Sequence, residues 1–389
     1  MSNKKSETKA IRTQTKRTEE HEHSTPLFMT SSFVFDSAEH ARALFAKEVE
    51  GNVYSRYSNP NTNEFEEKMC RLEGADAGIA TASGMSAIFS SLAGLLEQGD
   101  HILACRSLFG SSHQILNNIL PKWGIDYSYG DIDKPEQWES LIKDKTKVLF
   151  LETPSNPGLD LIDLEWAGEL ADSHNLIMIV DNCFATPYLQ KPMEYGADIV
   201  LHSATKFIDG QGRGIGGVIV GKENYIDEIS TFTRHSGPAM SPFNAWMFSK
   251  SLETLPARMD RHCQNALSLA QFLEEQQNTA WVKYPFLKSH PQYELAKKQM
   301  RQGGGVVAFN ITGGYEAATE FLDKLEMLSL SANLGDSRTI ATHPASTTHS
   351  KLTKEERETV NITPGMIRIA VGLEAIEDIQ ADIEQALNG

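Results

Sequence analysis

Two residues of opposite charge stand at the ends of apolar runs, and their chemistries suit one another. Asp181 directly follows LIMIV, and Lys206 closes Ser203-Ala204-Thr205-Lys206 after the run ADIVLH. A carboxylate at the end of a buried strand is costly unless a positive group meets it. A protonated pyridine nitrogen is such a group. It would keep Asp181 ionised and make the ring a better electron sink. A lysine at a strand end, beside hydroxyls and facing a cleft, has its pKa lowered and becomes a nucleophile. Taken alone, Lys206 reads as a surface lysine. Its pairing with Asp181, about 25 residues upstream, shifts the reading toward chemistry.

Two further features fall at expected strand ends. Ser83-Gly84-Met85 lies between a short apolar run and a helical stretch. Backbone N–H groups at a helix N-terminus bind phosphate, and Gly lets the anion approach. The plain alternative is turn and N-cap chemistry. Arg368, in MIRIAVGLE, is flanked by apolar residues and needs an anion. A substrate carboxylate would give it two parallel hydrogen bonds, and a structural ion pair is the alternative. Gly212-Arg213-Gly214-Ile215-Gly216-Gly217 fits GxGxxG, but its strand, Val218 to Val220, comes after the glycines. A dinucleotide site needs the strand first, so this is a Gly-rich turn. His343 and His349 lack HExxH spacing, and no metal site is expected.

These residues need strands to present them. Short apolar runs occur at Ala77–Thr81, His101–Cys105, Val148–Glu152, Leu176–Val180, Ile199–His202 and Val218–Val220. Helical periods alternate with them, from about Ser111 to Leu120 and Leu164 to His174 among others. The pattern implies a mostly parallel sheet wrapped by helices, with its chemistry beyond the carboxyl ends of the strands. Near Pro256 the pattern changes: a helix from about Leu255 to Gln276, a strand Val306 to Asn310, a helix from Tyr315 to Leu325, and a strand Ile367 to Val371 before an acidic helix. This predicts an N-terminal arm over 1–63, a large domain over 64–254 and a smaller C-terminal α/β domain over 255–389. The stretch to Thr25 reads as an arm either disordered or held by a partner surface. Gly51 to Asn63 reads as an extended loop.

At 389 residues, two domains are the default expectation. Apolar content of 40% and charged content of 23% are ordinary for a soluble globular protein. A net charge of −16 argues against nucleic acid or an anionic membrane as the main partner. No apolar run approaches the roughly 20 residues of a spanning helix, and the polar first 25 residues, with no apolar stretch, lead us to expect no secretory signal. Cys70, Cys105, Cys183 and Cys263 are scattered without a CxxC pair. They read as reduced thiols, with Cys105 and Cys183 buried in apolar runs. A cytoplasmic location is expected.

Seven motifs in order, YSRYSNPN (54–61), SGMSA (83–87), LETPSNP (151–157), VDNCFATP (180–187), HSATKF (202–207), ATHPAST (341–347) and RIAVGLE (368–374), closely resemble the Cys/Met-metabolism family of pyridoxal-phosphate (PLP) enzymes. The resemblance runs from about Thr25 to the C-terminus and implies a fold-type I PLP enzyme. It implies that Lys206 forms the Schiff base with the cofactor and shuttles protons, and that Asp181 partners the pyridine nitrogen. Ser83, Gly84, Met85, Ser203 and Thr205 resemble the phosphate cradle. Tyr54 and Arg56 resemble the pair that reaches the cofactor phosphate of a neighbouring subunit, which implies a dimeric functional unit within a homotetramer.

By the same resemblance, Asn156 sits near the cofactor's phenolic oxygen and the substrate, Arg368 clamps the substrate α-carboxylate, and Thr339 offers a hydroxyl to the substrate. Phe109 stands where many relatives place a Tyr over the pyridine ring. Stacking survives, but a phenolic proton relay does not, so Tyr54 or Lys206 must handle the leaving-group proton, or a good leaving group needs none. Phe109 and the stretch 333–349 resemble the O-succinylhomoserine sulfhydrylase branch. The activity implied is γ-replacement on an O-acylhomoserine with sulfide. Cystathionine synthesis and γ-lyase activity are the alternatives within the family, and a non-catalytic cofactor-binding protein is the alternative outside it.

Overall fold

The computed structural model describes residues 4–350 and 353–388; residues 1–3 and 389, at the ends of the expected arm and C-terminal domain, lie outside them. The first sheet contains β1 (Ala77–Thr81), β2 (His101–Cys105), β3 (Asp126–Gly130), β4 (Thr146–Glu152), β5 (Ile177–Asp181), β6 (Ile199–Ser203) and β7 (Gly217–Gly221). Their order is β1-β7-β6-β5-β4-β2-β3. From β6 to β3 every pairing is parallel, and β7 runs antiparallel to both its neighbours. The central strands are buried on both faces, which is why they read as continuous apolar runs. The second sheet, order β10-β11-β12-β9-β8, is built from β8 (Thr279–Lys283), β9 (Val306–Ile311), β10 (Ser329–Leu330), β11 (Ile340–Thr342) and β12 (Met366–Ala370). It is antiparallel except for β10 with β11.

Each sheet has its own apolar core, and the helix Leu255–Glu274 belongs to both. Leu255, Met259 and Cys263 pack into the first core, while Ala266, Leu269, Ala270 and Leu273 pack into the second. The passage between cores therefore runs along this helix, not at its first residue.

Of the two readings of the N-terminal arm, disordered or held by a partner surface, the structure departs from the disordered one. Ser6–Arg12 is helical and packs on the helix Pro60–Glu73 of the same chain. Glu64, buried on that helix, accepts from the Thr15 N–H at 2.9 Å and the Thr25 hydroxyl at 2.6 Å. Lys68, also buried, stands 3.3 Å from Glu64. The expected loop to Asn63 is likewise shorter. Asn59 caps a helix that begins at Pro60, a Pro at the first helical position whose missing N–H costs nothing there. The helical stretch expected over Ser111–Leu120 is an α-turn, Gly110–Gln114, continued by a π-turn and then a 3-10 turn to Trp123. As expected, the strand associated with the glycine-rich turn follows it, at β7.

Candidate active site

The carboxyl ends of β4, β5 and β6 open into one cavity of about 450 Å³. Ser83, Gly84, Met85, Phe109, Asn156, Asp181, Ser203, Thr205, Lys206 and Arg368 all line it. The chain brings together residues from both sheets, some 285 positions apart, most of them at or just beyond strand ends and Arg368 from the middle of β12.

Lys206 sits in a π-turn, Ala204–Ile208, directly after β6, with backbone angles (φ −91°, ψ −132°) that break the helical path. Such single π-turns concentrate at functional sites. Burial is the main cause holding its amine below the usual lysine pKa, and the nearby Arg368 adds to it. The Lys206 Nζ donates to Asn333 Oδ1 at 2.7 Å.

Asp181 and Glu152 are register partners on β5 and β4. Burial pushes the Asp181 carboxyl up to about 6, although the Cys183 N–H, donating at 3.0 Å, favours its charge. Burial, and then the charge of Asp181, push Glu152 well above the carboxylate range. Glu152 accepts from the Phe109 N–H at 2.7 Å, which fixes the turn carrying that ring.

Opposing these acids is Arg368, the third residue of β12. It is 1% exposed and forms no ion pair among the described residues, so a structural salt bridge does not explain it. Its Nη1 donates to Asn156 Oδ1 at 2.9 Å and its Nη2 to the Asn333 carbonyl at 3.1 Å, while its buried Nε has no partner. An unsatisfied buried guanidinium donor is expensive unless an anion arrives.

At the other end, Ser83 caps the helix Gly84–Leu95, with a capping box that uses the N–H groups of Ser83 and Ser86. The N–H groups of Gly84 and Met85 belong to the first turn, where a helix has no internal acceptors. A Cβ on Gly84 would lie 2.6 Å from Ser203 Cβ, so only glycine lets this helix end reach the lysine turn.

A family model described as "Cys/Met metabolism PLP-dependent enzyme" matches residues 7–388. The chain belongs to this family. As a PLP-dependent enzyme of the family, it is 47% identical to an O-succinylhomoserine sulfhydrylase of Pseudomonas aeruginosa, over 98% of this chain and 94% of that one. It is 43% identical to an L-methionine gamma-lyase of Fusobacterium nucleatum, over 93% and 92% respectively. Among solved structures, an O-acetylhomoserine (thiol)-lyase of Campylobacter jejuni carrying a pyridoxyl-lysine phosphate superposes with a TM-score of 0.96 at 32% identity, covering 99% of this chain and all of that one.

The cavity fits PLP on its own chemistry: an amine held below the usual lysine pKa, a half-buried carboxylate, an aromatic ring and a helix N-terminus share one wall set. Three expected site residues do not line it. Tyr54 is 41% exposed, and Arg56 stacks on Tyr57 and donates to the Arg234 carbonyl. Thr339 is buried elsewhere: its N–H and hydroxyl both donate to Glu374, and its hydroxyl accepts from the Gly372 N–H. That hydroxyl has already given its one proton to Glu374 and has none to offer a substrate carboxylate. The polar contact from this segment is made by Asn333. Cys183 is also displaced from expectation, in the turn after β5 and on the cavity wall instead of in the core. Asn333 and Glu152 both lie inside stretches that carry the family resemblance, 333–349 and LETPSNP, but neither is singled out there. Glu152 ends an apolar run as Asp181 does, and that parallel was the available clue.

No helix among the described residues is long and apolar enough to cross a membrane.

Proposed function

We propose that the chain catalyses γ-replacement on an O-acylhomoserine, with O-succinylhomoserine as donor and sulfide as nucleophile. The carrying observation is the Asn333 bridge. Its side chain takes the Lys206 amine while its carbonyl takes the Arg368 guanidinium, so an amine-exchanging group and a carboxylate clamp flank one residue. An α-amino acid carries one group suited to each.

When bound, PLP supplies the sink for negative charge developing on the substrate carbons. Lys206, Asp181, Phe109 and the Gly84 helix end, with the Ser203 and Thr205 hydroxyls, would hold it. Arg368 with Asn156 orients the α-carboxylate, and Lys206 Nζ, depressed by burial, takes the α-proton and returns it. At the γ-carbon the C–O bond breaks and a C–S bond forms: hydrosulfide enters, succinate leaves as a carboxylate, and homocysteine results. Phe109 has no proton to give at this end of the cavity. A carboxylate leaves without a strong acid, whereas a thiolate wants one, which supports the ester over a thioether. The similarity to O-succinylhomoserine sulfhydrylases supports the same choice.

The proposed functional unit is a dimer within a homotetramer, Tyr54 and Arg56 completing a neighbour's site; their position outside their own chain's cavity is in keeping with that role.

The test is a substrate panel read by mass spectrometry. O-succinylhomoserine with sulfide is expected to give homocysteine faster than the acetyl ester does, and faster than cysteine in place of sulfide gives cystathionine. Rapid release of 2-oxobutanoate from methionine alone would sink the proposal in favour of a γ-lyase.

A further inference from the structure

The helix Leu255–Glu274 does more than join the two cores. Arg258 and His262 lie one turn apart on it, and residues at that spacing share a face. Both are buried. Arg258 Nη1 donates to the Phe207 carbonyl at 2.6 Å, and its Nη2 donates to the carbonyls of Ile208 at 3.1 Å and Ser251 at 3.0 Å. Two of these three acceptors belong to the π-turn that holds Lys206. Gly210, at φ +70°, closes that turn, and a Cβ there would lie 2.1 Å from Arg258 Nη1. The guanidinium is thus packed so close to the end of the lysine turn that no side chain fits between them.

His262 reaches the other way. Its Nδ1 lies 2.6 Å from the Val371 carbonyl, and since a carbonyl only accepts, Nδ1 carries the proton. Val371 directly follows β12, three residues beyond Arg368. The same imidazole meets the Phe207 ring edge-on at 5.3 Å. One helical turn therefore touches the lysine turn, the strand carrying the arginine, and the ring between them.

We propose that Arg258 and His262 are positioning residues that together set the separation between the Lys206 amine and the Arg368 guanidinium. Arg258 fixes the lysine end and His262 the arginine end. The proposal rests on the reading above, in which an amino acid spans those two groups.

The test uses holoenzyme variants and two readouts independent of the acyl substrate: the pH profile of bound-cofactor absorbance, and the affinity for L-norvaline, which has both α-groups and no γ-leaving group. Arg258→Gln is expected to shift the absorbance midpoint and lower kcat by about tenfold to a hundredfold, the scale of a small misplacement of reacting groups, with KM changed less. His262→Phe keeps the ring and loses the donor. It is expected to weaken norvaline binding and raise KM about tenfold, the loss of one well-made hydrogen bond to the strand, with the absorbance midpoint unmoved. His262→Asn, whose amide N–H can meet the same carbonyl, restores affinity. Should Arg258→Gln fail to fold, Arg258→Lys decides the matter: one ammonium cannot hold three carbonyls in the planar fork, so the midpoint must still move in the same direction. Folded variants with wild-type absorbance profile, norvaline affinity, kcat and KM, altered only in melting temperature, overturn the proposal. If the wild type turns over no O-acylhomoserine, the proposed activity fails, and the absorbance and norvaline readouts still judge the positioning role.

Discussion

At the ends of β4 and β5, Glu152 and Asp181 stand side by side, and a single incoming positive charge can keep only one of them ionised. The pyridine nitrogen is proposed to meet Asp181, leaving Glu152 neutral and tied to the Phe109 N–H. Asp181→Asn is therefore expected to lower kcat by at least about a hundredfold, since a cationic ring loses its counter-charge. Glu152→Gln keeps an oxygen for that N–H and is expected to change kcat less than about threefold. Dialysis against buffer, followed by absorbance and rate, separates the two. As pH falls through about 6, Asp181 in the cofactor-free protein takes up its proton and loses its attraction for the ring, so cofactor uptake weakens on the acid side. Lys206→Ala is expected to abolish both turnover and covalent cofactor absorbance. At this scale the strand-end logic pointed to Asp181 and Lys206, because charge after an apolar run is anomalous on its face; Arg368, expected at a strand end, is the middle residue of β12 and stood out only because its neighbours are apolar. The same logic could not locate Asn333, whose type is ordinary in any loop, and it misplaced the hydroxyl at Thr339, which Glu374 claims.

Two helical elements show why periodicity alone misses boundaries. The helix before β1 starts at Pro60 because Asn59 caps it, a local side-chain effect inside a segment dense in turn formers. The stretch after Gly110 changes its winding twice, from α to π to 3-10, which an average period conceals. The core strands were legible because burial on both faces leaves an unbroken apolar run. The helix 255–274 was legible as a helix, but its membership of two cores was not, since one apolar stripe does not declare its partners. His262 on that helix and His349 beyond β11 are both buried, and burial pushes each down to about 4, from an ordinary value of 6.5. Unfolding restores the ordinary value, so between pH 6.5 and 4 the unfolded chain binds more protons and stability falls as pH falls. Asp181 has the opposite sign, its raised pKa favouring the folded state as it protonates below about 6. Urea unfolding at pH 7.5, 6 and 5 is expected to show a shallower acid loss for His262→Asn than for the wild type. Parallel slopes would contradict the neutral assignment of His262.

At the scale of the molecule, a chain with a net charge of −16 places a buried Arg368 and a half-buried Lys206 in one cavity, so the proposed anion binding there rests on local groups and not on the overall field. Mixed assemblies test the proposed sharing of sites. Arg56→Ala and Lys206→Ala chains, each inactive or nearly so alone, are expected to regain activity when refolded together, because one of the two sites in such a dimer takes its intact lysine and arginine from different chains. No recovery would confine each site to a single chain. The buried Glu64 binds Thr25, Asn59 holds the Phe28 carbonyl, and the strip from Ser31 to Ser55 that carries Tyr54 is bonded to itself across a short bridge. A protease nick near residue 28 would slacken that strip while leaving the cut chain's own lysine pocket whole. If Tyr54 and Arg56 complete a neighbour's site as proposed, the injury would surface in the adjacent copy, so that one clipped molecule silences an undamaged companion.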